Sequence, residues 1–293
     1  MRIWLMAARP RTLPAAIAPV LIGTAAAVEW AGELRRPGAF VAALVGSVFI
    51  QIGTNLANDY SDARRGADTA DRLGPVRVTS SGLVAPRRVL YATWIAFAVA
   101  VACGIYLAIV AGIVIILIGA VSIAAGVLYT GGPRPYGYAG LGEVFVFLFF
   151  GLVAVNGSYY VQLEALDALP LGLSIAIGFL ATAILVVNNV RDLETDRRAG
   201  KMTLAVRMGR HDAVVLYRML VLGAFVVLPI ALVAGGGSAW PLIGLLALPM
   251  AVGPMRTLSS RSDGAALNGA LAATGALLGA FSLLVSAGLL FAA

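Results

Sequence analysis

The chain has 293 residues, of which 60% are hydrophobic and only 12% are charged, with a net charge of +7. A soluble domain is about 45–50% apolar and about 25% charged, so there are too few charged groups here to cover a water-exposed surface. A disordered chain is excluded on the same ground. The composition is that of an all-α polytopic membrane protein, with residues 1–293 expected to form a single integral-membrane domain.

A spanning helix needs about 20 mainly apolar residues. Nine such runs are predicted, at 12–28, 39–57, 89–109, 112–129, 141–162, 169–190, 213–234, 240–256 and 267–290. Only Ala111-Gly112 divides the third from the fourth. Their joint length of about 40 residues is twice what a bilayer needs, which favours two helices. The first run is long for a cleaved signal ending at Ala25-Ala26-Ala27.

Alternating sides along nine crossings puts Arg35 and Arg36 alone on one face and every other basic residue outside the runs on the opposite one. By the positive-inside rule the crowded face, with the N-terminus, is cytoplasmic. Basic charge in this setting serves topology and lipid headgroups, not nucleic acid. A single Cys (Cys103) and a single His (His211) exclude a disulfide framework, a thiolate metal site and any two-histidine mechanism.

Half of the acidic residues, seven of fourteen, fall in two loops on the crowded face. After the second run the sequence is Asn55-Leu-Ala-Asn58-Asp59-Tyr-Ser-Asp62, followed by Arg64, Arg65, Gly66, Asp68 and Asp71. After the sixth it is Asn188-Asn189-Val-Arg191-Asp192-Leu-Glu194-Thr-Asp196, followed by Arg197, Arg198 and Lys201. If the helices continue, Asn55, Asp59 and Asp62 share one face, and so do Asn188, Asp192 and Asp196. Carboxylates so placed repel one another, and the negative end of the helix dipole disfavours each by about 0.3–1 kcal/mol. Something cationic must compensate. Hard oxygen donors without Cys or His select Mg²⁺, which is held by one or two carboxylates together with substrate phosphates. The neighbouring Arg and Lys residues suit phosphate oxygens. The matching Asn/Asp pattern also hints at an internal repeat of four helices.

A third loop, Tyr129-Thr-Gly-Gly-Pro133-Arg134-Pro135-Tyr136-Gly-Tyr138, offers aromatic ring faces, either for a cation or as an interfacial belt. Glu143, opening an apolar helix, is expensive unless partnered and is a functional candidate. Asn156, deep in the same run, is expected to make a helix–helix hydrogen bond.

The two Asp-rich loops resemble the motifs of the UbiA superfamily of intramembrane aromatic prenyltransferases. Four stretches are similar to its 1,4-dihydroxy-2-naphthoate prenyltransferases: Ala8-Arg9-Pro10-Arg11-Thr12-Leu13-Pro14; Asn58-Asp59-Tyr60-Ser61-Asp62 with Gly66 and Asp68; Pro135-Tyr136-Gly137-Tyr138; and Asn188-Asn189 through Lys201. The superfamily pattern places an Asp four residues after Asp62, where this chain has Gly66, with Asp68 following.

The resemblance implies a nine-helix fold that seats a polyprenyl diphosphate between the two clusters, bridged by Mg²⁺ on Asn55, Asp59, Asp62, Asp192 and Asp196. Asp59, Asp62, Asp192 and Asp196 would be catalytic. Arg134, Arg191 and Lys201, with Arg77 as an addition, would neutralise the leaving diphosphate. Asn58, Asp68, Tyr138, Glu143 and Asn188 complete the substrate-binding set. The other partners are an aromatic acid and membrane lipids, with the site at the cytoplasmic face of the cell membrane. The implied reaction forms demethylmenaquinol in menaquinone biosynthesis. A ring such as 4-hydroxybenzoate is the alternative acceptor. A secondary transporter is the rival from another class, but its polar site belongs near the bilayer midplane.

Overall fold

The computed structural model describes residues 2–67 and 73–293. Asp68 lies outside the described residues, so its expected role has no structural counterpart here. Among the described residues every regular element is helical. The short α1 (Arg2–Ala8) precedes α2 (Pro14–Ala31), α3 (Pro37–Arg64), α4 (Pro86–Ala111) and α5 (Val114–Leu128). There follow α6 (Gly142–Leu163), α7 (Ala168–Arg198), α8 (Leu204–Ala234), α9 (Trp240–Ser260) and α10 (Gly264–Ala292).

Eight of these helices are long and apolar enough to cross a membrane. The fourth expected crossing, 112–129, is the exception. Its helix has only 15 residues, about 22 Å at 1.5 Å per residue, against a hydrocarbon core of about 30 Å. The lipid-facing character of the bundle shows in Ile109, Ile113 and Val233, each at least 80% exposed. A water-facing surface would not leave such residues bare, whereas lipid solvates them.

Local chemistry sets the helix ends. Pro37 and Pro86 stand at first helical positions, where the missing N–H costs nothing. Asp167, Thr203 and Asp263 accept first-turn N–H groups of α7, α8 and α10 through their side chains. Gly200 ends α7 at φ 72°, a left-handed conformation open to glycine. It turns the chain back, and Lys201 N donates to Asp196 O at 2.8 Å.

The main core joins α2, α6, α7, α8, α9 and α10 around Leu173, Ile177, Leu180, Tyr217, Leu228, Leu277 and Phe281. The α3–α5 side carries smaller clusters at its two ends, one around Leu56, Val78 and Val89, the other around Leu107, Ile115 and Val161. Between them lies a cavity.

Helix α6 carries a π-helical stretch over Phe147–Val153. Such a stretch re-aims side chains and leaves backbone carbonyls poorly paired. Asn156 Nδ2 donates to Leu152 O at 2.8 Å within this helix. It therefore repairs its own helix and does not make the interhelical bond expected from the sequence. Gly151 lets α6 approach α7 closely, since a Cβ there would lie 2.7 Å from Gly178 Cα.

Candidate active site

Helix α3 continues through its motif to Arg64, and the acidic set is buried: Asp59 is 2% exposed and Asp62 1%. Asp62 is the hub. Its Oδ1 accepts from Tyr138 Oη at 2.8 Å, and its Oδ2 accepts from Lys201 Nζ at 2.9 Å and from Arg77 Nη2 at 3.2 Å. Lys201 Nζ also lies 4.9 Å from the centre of the Tyr138 ring, within cation–π range. One carboxylate thus gathers a residue from each of three loops.

Asp59 behaves differently. Its two oxygens accept the backbone N–H groups of Val78 at 3.0 Å and Thr79 at 2.9 Å, and it does not line the cavity. It holds in place the segment that delivers Arg77. Asn58 Oδ1 accepts from Thr130 Oγ1 at 2.8 Å. Asn55 Nδ2 donates to Ala8 O at 3.0 Å and to Thr12 Oγ1 at 3.3 Å. Gln51 Nε2 meets the same Thr12 oxygen at 3.2 Å. These two amides pin the elbow before α2, where Arg9 adopts φ 54°, an unfavourable backbone for a non-glycine residue that tends to mark functional sites.

On α7, Asp192 forms a buried pair with Arg191, at 2.8 Å to Nε and 2.5 Å to Nη2. Arg191 also reaches Asn188 Oδ1 at 2.8 Å and Asn268 Oδ1 on α10 at 2.9 Å. It faces away from the cavity and orients the two side chains that do line it. Asn189 Nδ2 donates to Glu143 Oε1 at 2.8 Å.

The cavity has a volume of about 350 Å³. Its polar end brings together Asn55, Asn58, Asp62, Arg77, Tyr138, Asn188, Asp192, Asp196 and Lys201 from the expected set. Asp59, Glu143 and Arg191 stand behind this lining, and Arg134 is exposed outside it. Sequence reasoning missed Arg9, Thr12, Gln51 and Thr130 as lining residues. It also left Asn189 out of the site. The adjacent Asn188-Asn189 pair was a signal, since consecutive helical residues face different partners.

Most of the remaining lining is apolar, interrupted by hydroxyls such as Ser47, Thr54, Ser122 and Ser158, and it runs along α3–α6 past Ile50, Phe149 and Val153 to Leu107, Ile115 and Val161. Tyr129, Tyr136, Phe145 and Phe149 form an aromatic wall. Tyr129 and Tyr136 meet edge to face at 5.4 Å, and Tyr136 stacks on Phe145 at 3.9 Å. The three loop tyrosines therefore line the cavity and do not form an interfacial belt. Burial raises the Tyr136 phenol above its ordinary pKa, so its ring stays neutral.

Among the described residues no three carboxylate, thiolate or imidazole groups gather tightly enough to form a metal cage. The donors that do reach the cavity are oxygens on two facing elements: Asp62, Asn55 and Asn58 on α3, with Asp192, Asp196 and Asn188 on α7. This set fits Mg²⁺ completed by substrate phosphates better than a closed protein site.

Residues 16–274 match the UbiA prenyltransferase family. The chain belongs to this family. It is 43% identical to a 1,4-dihydroxy-2-naphthoate octaprenyltransferase of Mycobacterium tuberculosis, over 98% of this chain and 97% of that protein. It is 38% identical to the Escherichia coli protein of the same description, over 94% and 91%. A solved UbiA homologue from Archaeoglobus fulgidus, bound to DMAPP and Mg²⁺, superposes with a TM-score of 0.66 at 14% identity, covering 97% of this chain and 99% of that one. At that identity the likeness establishes the fold.

Proposed function

We propose that this protein transfers a polyprenyl group from an allylic polyprenyl diphosphate to 1,4-dihydroxy-2-naphthoate, releasing diphosphate and CO₂ and giving demethylmenaquinol. The observation that carries the reading is the meeting of the two acidic helices at one cavity, with Lys201 bonded across to Asp62. The naphthoate acceptor is supported by full-length similarity to proteins described as acting on it.

In this reading the diphosphate lies at the polar end, against Lys201 and Arg77, and the isoprenoid runs along the apolar lining. Mg²⁺, held by Asp62, Asp192 and Asp196 with help from the Asn oxygens, would neutralise diphosphate charge as it leaves. Lys201 and Arg77 are already positioned for that charge, so little reorganisation accompanies bond cleavage. The allylic C–O bond breaks, its electron pair stays on the diphosphate, and the ring attacks the allylic carbon. The aromatic wall offers neutral ring faces to the developing cation. The apolar lining keeps out water, which would otherwise capture that cation.

Nine crossings with a cytoplasmic N-terminus follow from the charge asymmetry, with α5 as a short or tilted crossing and the site at the cytoplasmic face of the cell membrane. The test is prenyl transfer by purified protein from radiolabelled prenyl diphosphate, offered 1,4-dihydroxy-2-naphthoate or 4-hydroxybenzoate, with and without Mg²⁺. Mg²⁺-dependent labelling of the naphthoate alone, with its carboxylate lost, supports the reading. Labelling of the benzoate alone reassigns the acceptor, and no transfer to either overturns the reading.

A further inference from the structure

Glu143 is 6% exposed and stands in the first turn of α6, where the helix dipole favours negative charge. Its Oε1 holds Asn189 Nδ2, while its Oε2 is buried without a partner. Glu143 does not reach the cavity, but Asn189 does. A carboxamide has one donating and one accepting end, and a carboxylate only accepts. With its nitrogen held from behind, Asn189 can turn only its Oδ1 to the cavity. Among the described residues no group donates to that oxygen, and it is not sealed from the cavity.

We infer that Asn189 Oδ1, fixed by Glu143, accepts a hydrogen bond from a ring hydroxyl of the aromatic substrate, with Glu143 as a positioning residue. The inference rests on the reading above, in which the acceptor is a dihydroxylated aromatic acid. Of the two substrates only the ring carries a donor. An ionised diphosphate offers acceptor oxygens alone, and both the carbonyl and the carboxylate behind it repel that group. The surroundings agree. A Cβ at Gly142 would lie 3.2 Å from Tyr129 Cε2, so the start of α6 is packed on the same aromatic wall that a planar ring would contact. A hydrogen bond from the ring hydroxyl to a neutral carbonyl pushes electron density into the ring and strengthens it as a nucleophile, with no proton leaving for Asn189.

The test uses steady-state kinetics of the purified full-length protein with prenyl diphosphate and 1,4-dihydroxy-2-naphthoate varied in turn. Glu143→Gln keeps an acceptor oxygen for Asn189 and is expected to leave the naphthoate KM within about threefold of wild type. Glu143→Leu frees the carboxamide to rotate and is expected to raise that KM about tenfold while the prenyl diphosphate KM stays constant. Asn189→Asp sets two buried carboxylates, its own and that of Glu143, against each other and is expected to lose naphthoate binding. Adding Glu143→Gln to it restores a donor behind and an acceptor in front, and is expected to recover binding. Equal shifts in both KM values, or no recovery in the double variant, overturn the inference. The double variant decides the matter even if Glu143→Leu does not fold. A wild-type protein that prenylates no dihydroxylated ring defeats the underlying reading instead.

Discussion

Lys201 Nζ lies 2.9 Å from Asp62 Oδ2, joining positions 139 residues apart. Both side chains are buried, with exposures of 9% and 1%. The pair links the acidic end of α3 to the turn that closes α7, so two loops distant in sequence become two walls of one cavity. Arg77 and Tyr138 complete the cage around Asp62. A lysine and an arginine gathered on one carboxylate put two cations at the polar end of the cavity, within reach of an anionic substrate seated there.

Removing Asp62 is expected to damage fold and activity together. Asp62→Ala leaves Lys201 buried without its carboxylate, a change that costs about 3–5 kcal/mol. Thermal unfolding in detergent should show the loss. Asp62→Asn keeps the shape and is expected to unfold closer to wild type while turnover remains abolished. A fully active Asp62→Asn protein would remove Asp62 from the site.

Asp59 is expected to act through the segment it anchors. Each hydrogen bond to its charged carboxylate contributes about 1.5–3 kcal/mol, and Asp59→Asn turns an amide nitrogen toward one of the two backbone N–H groups. The expected outcome is lower thermal stability and a raised prenyl diphosphate KM as Arg77 loses its place. Unchanged stability with abolished turnover would return Asp59 to direct contact with the reacting groups.

The arginines separate by position. Arg134 is exposed away from the cavity, and Arg134→Ala is expected to leave turnover within about twofold, as for surface changes of about 0.5 kcal/mol. Arg77→Ala should raise the prenyl diphosphate KM about tenfold, equivalent to about 1.4 kcal/mol. Steady-state kinetics of the two variants side by side check this, and the reverse order would place diphosphate at the outer loop.

Close approach of α6 to α7 is expected to be intolerant of added volume. A Cβ at Gly151 would meet Ser174 O and Gly178 Cα at 2.7 Å. These are backbone atoms that cannot swing aside, so Gly151→Ala should cost about 1–3 kcal/mol. Thermal unfolding measures the cost directly. An unchanged transition would mean that α6 slides freely on α7.

Much of this site was legible in the sequence because its chemistry is periodic. Asn55, Asp59 and Asp62 stand at helical spacing, as do Asn188, Asp192 and Asp196, and helices that continue through the motifs bring all of these except Asp59 to the cavity. Hydropathy located every long helix because each is a sustained apolar run of spanning length. Spacing could not tell lining from support. Asp59 lies on the same turn as Asp62 but is turned toward Val78 and Thr79, contacts set by how residues 77–79 fold back. Arg191 and Arg134 carry the same charge, yet one is buried behind Asp192 and the other faces outward. Asn156 was misread because the π-helical stretch before it has no hydropathy signature, so the carbonyl it caps was not foreseeable. The partnership of Glu143 with Asn189 depends on how closely α6 packs on α7, which no local pattern reports.

The claim that both acidic helices act on one diphosphate is tested most directly by binding of a non-reactive prenyl thiodiphosphate, with and without Mg²⁺, to wild type, Asp62→Asn, Asp192→Asn and the double variant. Each single change is expected to abolish the Mg²⁺-dependent part of the affinity, with the double variant no weaker than either, because groups sharing one ligand are coupled. Independent, additive losses from the two positions would contradict a shared site.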